Sequence, residues 1–143
     1  MDGREILLPV AVLVAWSLVM MGWMIVSRFA ALKAKGISLK GRTGGKPGML
    51  DGVVDERAQW KAHNYIHLME QPTLFYAIAL TLALAGEGDG VNALLAWAYV
   101  GLRVVHSLIQ ATVNVIVYRF AVFMLSSLAL AGLTVHALAS LIP

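Results

Sequence analysis

An uninterrupted run of residues without formal charge, Ile6 to Ser27 and closed by Arg28, constrains this chain most. At about 1.5 Å per helical residue it reaches across the ~30 Å hydrocarbon core of a bilayer. A second such run, Phe120 to Leu141, lies near the other end. Across 143 residues, 59% are hydrophobic and 13% charged, against roughly 45–50% and 25% in soluble domains. That balance excludes a disordered, coiled-coil or nucleic-acid-binding chain. With no cysteine, no disulfide framework, zinc–thiolate site or catalytic thiol can be built from its own side chains. Asp2, Arg4 and Glu5 precede the first run and basic residues follow it, the reverse of a cleavable signal, so it reads as a retained helix.

Two further spans follow from the pattern between these runs. Leu74 to Ala85 carries no charge but is too short to cross alone. Extended back to Trp60 it becomes long enough, at the cost of including Asn64, His67, Glu70 and Gln71, with Pro72 as an expected kink. Gly86 to Gly90 is a polar turn, and a third helix is expected from Val91 to about Val117, with Arg103 inside it. The expected architecture is all-α: a single membrane-embedded four-helix bundle over residues 1–143, with spans at about 6–28, 60–85, 91–117 and 119–141. The glycine-rich stretch 33–59 reads as a loop. Its Gly44-Gly45-Lys46-Pro47 fragment is no phosphate loop, because Lys40 and Pro47 stand where that motif needs Gly and Ser or Thr.

Charge asymmetry orients the bundle. Eight of the eleven basic residues (Arg28, Lys33, Lys35, Lys40, Arg42, Lys46, Arg57 and Lys61) lie between the first and second spans, whereas the 86–90 turn holds only acids. The basic loop is therefore expected on the cytoplasmic side and both termini on the other. The net charge of +3 is topological, and no nucleic-acid partner is expected.

Ionisable groups at membrane depth are costly and mark pairing or function. At about 100° per residue, Arg103, His106, Ser107, Gln110 and Asn114 share one stripe of the third helix. Trp60, Asn64, His67 and Gln71 share a face of the second, with Glu70 on its flank. Two readings stay open: an ion pair between Glu70 and Arg103 that ties helices together, or a site for a polar anionic ligand. His63, His67 and Glu70 have workable metal-ligand spacing, but four histidines in all are too few for a di-iron centre, and no metal is expected. His136 reads as interfacial, and Trp16, Trp23 and Trp97 as interface or packing residues.

Ala62-His63-Asn64, Glu70, Pro72, Leu74-Phe75-Tyr76, Trp97-Ala98-Tyr99 and Arg103-x-x-His106-Ser107 together resemble the MAPEG family, the membrane-associated proteins in eicosanoid and glutathione metabolism. The resemblance covers essentially the whole chain and is closest to the family's bacterial branch, which implies a bacterial inner membrane. It implies a homotrimer, with glutathione bound between neighbouring subunits near the cytoplasmic face and a lipophilic small molecule or lipid as its partner. By the same resemblance Arg119 is the catalytic residue, set near the glutathione sulfur to favour the thiolate. Asn64 and Glu70 would bind the tripeptide's amide and amino groups, and Lys61 or Arg57 its carboxylates. His67, Arg103, His106, Gln110 and Tyr118 complete the implied cofactor site.

The chain also departs from the family. The better-known eukaryotic pattern has Asn with Glu three residues on and Pro four after that; here that spacing gives either Asn64 with His67 or His67 with Glu70, and Pro72 follows Glu70 by two. Gln110 replaces a tyrosine of the prostaglandin-synthase branch, and Phe120 replaces a serine, so that branch's isomerase chemistry is not expected. Tyr118 is either a substitute phenol or an interfacial anchor. The leading expectation is a glutathione-dependent transferase or peroxidase for lipophilic electrophiles. A non-catalytic lipid-binding or scaffold protein on the same fold is the alternative, and a small transporter or channel subunit ranks below both.

Overall fold

The computed structural model describes residues 3–46 and 48–142. Asp2 and Pro47, which entered the reading of the first run and of the loop, lie outside the described residues, as do Met1 and Pro143. Five helical segments form four antiparallel rods: α1 (Leu7–Ala34), α2 (Glu56–Met69), α3 (Gln71–Leu84), α4 (Val91–Thr112) and α5 (Ile116–Leu141). The second rod is α2 and α3 in sequence. Helices α1, α4 and α5 are each long and apolar enough to cross a membrane, and the described residues contain no strand.

Local chemistry explains each helix end. Helix α1 continues past Arg28 to Ala34 and stops where Gly36 turns left-handed (φ 66°). The Ile37 amide then reaches the Leu32 carbonyl and the Gly36 amide that of Lys33, each at 3.0 Å. This is a Schellman cap, which satisfies carbonyls that the helix itself leaves open. Helix α3 ends the same way at Gly86 (φ 76°). Helix α2 starts at Asp55, whose carboxylate accepts from the Arg57 amide at 2.7 Å.

The expected kink at Pro72 is a full break two residues earlier. Glu70 leaves the helical region (ψ −96°), and Pro72 falls in the first turn of α3. Proline there has no amide to offer and its ring would crowd the carbonyl four residues back, so the helix restarts instead of bending. The third and fourth rods also divide earlier than the expected 117–119 boundary. Helix α4 stops at Thr112, Asn114 takes a left-handed conformation (φ 50°), and α5 begins at Ile116. Asparagine is among the few side chains that tolerate this conformation.

The core runs along the inner seam. Ile6, Leu13 and Met20, spaced by seven, pack with Phe75, Leu82, Tyr99 and Leu133, all fully buried. Phe75 stacks on Tyr99 with ring centroids 4.5 Å apart. Ala79, Ala96, Ala129 and Ala137 let the rods approach closely, the small-residue packing that holds helices together in lipid. Large apolar side chains such as Val26, Leu84, Leu128 and Ile142 face outward, as a lipid-solvated surface requires.

The two ends of the bundle are fastened differently. At the acidic-turn end, the Asp89 carboxylate accepts from the amides of Gly3 and Glu5 at 3.0 and 3.1 Å, and the Ile6 amide donates to the Gly88 carbonyl at 3.0 Å. At the basic end, Asp51 anchors the loop to α2. It accepts from Gln59 Nε2 at 2.7 Å and lies 3.3 Å from His63 Nε2. The Gln59 hydrogen bond, helped by His63, holds the Asp51 carboxyl below its ordinary value.

Candidate functional site

The polar stripe of the third rod is buried as its spacing requires. Arg103, His106, Ser107 and Gln110 are each 3% exposed or less. Asn64 of α2 is fully buried opposite them, and its Nδ2 donates to Ser107 Oγ at 2.7 Å. The rings of His67 and His106 meet edge to face, 5.8 Å between centroids. The two stripes therefore do face each other.

They do not meet through an ion pair of Glu70 and Arg103, one of the two readings left open by the sequence. Arg103 Nη2 instead donates to the backbone carbonyl of His67 at 2.7 Å, while Glu70 Oε2 lies 3.1 Å from His67 Nδ1. The break at Glu70 explains this choice. His67 is in the last turn of α2, so its carbonyl has lost its partner within the helix and must be satisfied from outside. Arg103 supplies that bond at membrane depth, where an open carbonyl would be costly. Arg103 Nε and Nη1 find no partner among the described residues, nor do the carbonyl oxygens of Asn64 and Gln110. The guanidinium also lies over the Phe123 ring, 5.9 Å from its centroid.

In front of this cluster opens a cleft of about 160 Å³ lined by His67, His106, Ile116, Arg119, Phe120 and Phe123. Arg119, half-buried in the first turn of α5, is its cation. Asn114 Oδ1 accepts from Arg119 Nη1 at 2.6 Å, so the turn that separates α4 from α5 also aims the guanidinium. Asn114 thus belongs to this turn and not to the α4 stripe. The apolar rim is open, with Ile116 72% and Phe120 62% exposed.

The other expected site residues lie apart from the cleft. Arg57 and Lys61 sit at the start of α2, where Lys61 Nζ donates to the Arg57 carbonyl at 2.7 Å and lies 5.5 Å from the Trp23 ring centroid. Tyr118 is exposed and does not line the cleft, and Gln110 is buried behind it. Sequence reasoning missed Ile116 and Phe123 as walls. Phe123 was findable, because it lies four residues after Arg119 and so on the same face of a helix. His63 and His67 engage different carboxylates, Asp51 and Glu70. A further polar set, Tyr99 to Gln71 at 3.3 Å and Gln71 to Ser127 at 2.8 Å, ties α3, α4 and α5 together.

The fold and this cleft define a helical integral membrane protein with a cationic, apolar-walled recess near one end of the bundle. The chain matches the MAPEG family over residues 6–139 and belongs to it. That family is one of membrane proteins related to glutathione transferase and peroxidase chemistry. Comparison with curated proteins and with solved structures finds no match.

Proposed function

We propose that this chain is a glutathione-dependent transferase or peroxidase acting on lipophilic electrophiles, at the cytoplasmic side of an interface in a homotrimer. The observation that carries the reading is the placing of Arg119, a cation held by Asn114 in a recess otherwise walled by Ile116, Phe120, Phe123 and two histidines. Glutathione, when bound, supplies a thiol whose ionised form is the nucleophile. Arg119 would favour that ionised form, since a cation within ~4–6 Å lowers a thiol's pKa. The apolar rim would receive the lipophilic partner and hold it beside the charge.

The size of the recess fits a shared site. Ligand pockets span roughly 300–1,000 Å³, and about 160 Å³ from one chain is a partial enclosure. The exposed Ile116, Val117 and Phe120 beside it offer a surface for a neighbouring subunit. The unpartnered Arg103 donors behind the cleft add positive potential suited to an anionic tripeptide. Arg57, Lys61 and Glu70 have exposed or half-exposed positions from which carboxylates and an amine can be met.

The non-catalytic lipid-binding alternative has one observation in its favour. Among the described residues no phenol lines the cleft, because Gln110 is buried behind it and Tyr118 lies outside. Calorimetric titration of the chain in nanodiscs with glutathione tests the reading. Saturable binding that Arg119→Ala weakens is expected, followed by conjugation of a lipophilic electrophile. Absence of binding up to cytosolic concentrations would remove it, and binding without turnover would favour the alternative.

A further inference from the structure

The polar side chains that line the Arg119 cleft are His67, His106 and Arg119 itself. An arginine keeps its proton at every accessible pH. Arg119 can therefore favour a thiolate, but it cannot take the proton that the thiol gives up. Among the described lining residues only the histidines carry a nitrogen lone pair to receive it.

The two histidines are held differently. His106 is 3% exposed, and its ring centroid lies 5.8 Å from that of His67 and 6.2 Å from that of Phe123. No carboxylate forms an ion pair with it among the described residues. The His67 side chain is 38% exposed, and Glu70 Oε2 lies 3.1 Å from its Nδ1. A carboxylate at Nδ1 keeps the ring proton on that nitrogen and leaves Nε2 as a bare acceptor. The edge-to-face contact with His106 supports the ring in that orientation. The other charges that act on His67 are Arg103 and Arg119, with His63 one helical turn back.

We propose that His67, its tautomer fixed by Glu70, is the proton carrier of this cleft. The proposal rests on the glutathione reading and gives His67 a role distinct from holding the tripeptide. As the thiol ionises beside Arg119, its S–H bond breaks, the electron pair stays on sulfur and the proton goes to Nε2. The imidazolium so formed faces the Glu70 carboxylate. Where the electrophile releases an oxygen, the breaking bond leaves its electron pair on that oxygen. The same proton then moves from Nε2 to the oxygen, and the ring returns to neutral. The proton count closes without an outside acid. A leaving chloride needs no proton, so His67 matters less to its departure.

Nitrogen-15 spectra of the histidine-labelled wild-type chain in nanodiscs, without glutathione, read the tautomer, with His67 assigned through its own backbone signals. A proton on Nδ1 and a bare Nε2 are expected, and Glu70→Gln should mix the two forms. A proton on Nε2 in the wild-type chain would overturn the proposal without recourse to any variant. In His67→Ala, turnover of cumene hydroperoxide relative to chlorodinitrobenzene should fall on the order of a hundredfold, the low end of general acid–base catalysis. Free imidazole should restore part of it. An unchanged ratio in a variant that still binds glutathione by calorimetry would sink the proton carrier and leave the glutathione reading standing. A fall that imidazole does not relieve would mark a structural role and refute it equally. A wild-type chain that binds no glutathione would remove both.

Discussion

Asn114 does two things at once, and two substitutions separate them. Its left-handed backbone (φ 50°) closes the turn between α4 and α5, and its side-chain oxygen holds Arg119 at 2.6 Å. Asn114→Gly keeps the turn and removes the oxygen. A hydrogen bond to a charged group contributes about 1.5–3 kcal/mol when water cannot replace it. Arg119 is half-buried, so the loss in stability should be about 1 kcal/mol or less. Asn114→Ala removes the same oxygen and adds the left-handed cost, about 1–2 kcal/mol for a residue with Cβ. The Ala variant should therefore melt a few degrees below the Gly variant, at about 2–4 °C per kcal/mol for a chain near this size. Both variants should weaken glutathione binding by a similar factor, on the order of five-fold for about 1 kcal/mol. Melting curves and glutathione titrations in the same nanodiscs read the two effects. Equal melting temperatures for Ala and Gly would refute the backbone argument. Unchanged glutathione binding in both, where Arg119→Ala abolishes it, would refute the claim that Asn114 aims the cation.

Ser107→Ala leaves buried Asn64 without its acceptor, and should cost about 1–3 kcal/mol. Asn64→Leu with Ser107→Ala should recover part of that in a double-mutant cycle, and strict additivity would argue against a direct pair. Gly88→Ala would drive a Cβ into the Gly3 carbonyl oxygen and to 2.7 Å from Ile6 Cγ2. Overpacking of this kind costs about 1–3 kcal/mol or more, and faster hydrogen exchange at residues 3–6 should report it. Asp51 has a folded-state pKa lowered from 3.8, chiefly by Gln59. Its contribution to loop docking is thus complete above that value and lost as pH falls through the lowered one. Protection factors in the 48–55 segment, corrected for the intrinsic pH dependence of amide exchange, should stay flat through neutral and mildly acid pH and fall only below 3.8; a fall near neutrality would count against the anchor.

Most of the architecture was legible because a membrane simplifies the code. Charge-free runs, a glycine-rich basic loop and an acidic turn marked the rods without any knowledge of packing. The boundaries that escaped did so for local reasons. Val113, Val115 and Ile116 continue the apolar pattern through a turn, and only Asn114 among them has the chemistry of one. Pro72 signalled an interruption, but its effect falls on the residues before it, which moved the break to Glu70. The buried stripe from Arg103 to Gln110 was readable from spacing alone. Its partners were not, because Arg103 answers to a backbone carbonyl, and a carbonyl left open by a helix break has no signature in side chains. Arg57, Lys61 and Tyr118 were carried by resemblance, and a single chain does not bring them to the cleft.

The interrupted second rod has a consequence for how the chain is held in a membrane. Each half has 14 residues, about 21 Å of helix, short of the ~30 Å core. The first half also carries Asn64 and His67, while the second, though apolar, is too short to cross alone. In the folded bundle α2 is shielded by α1 and α4, and α3 by α1 and α5. The second rod therefore depends on its neighbours for a place in the membrane, and Arg103 of α4 closes the break between its halves by donating to the His67 carbonyl.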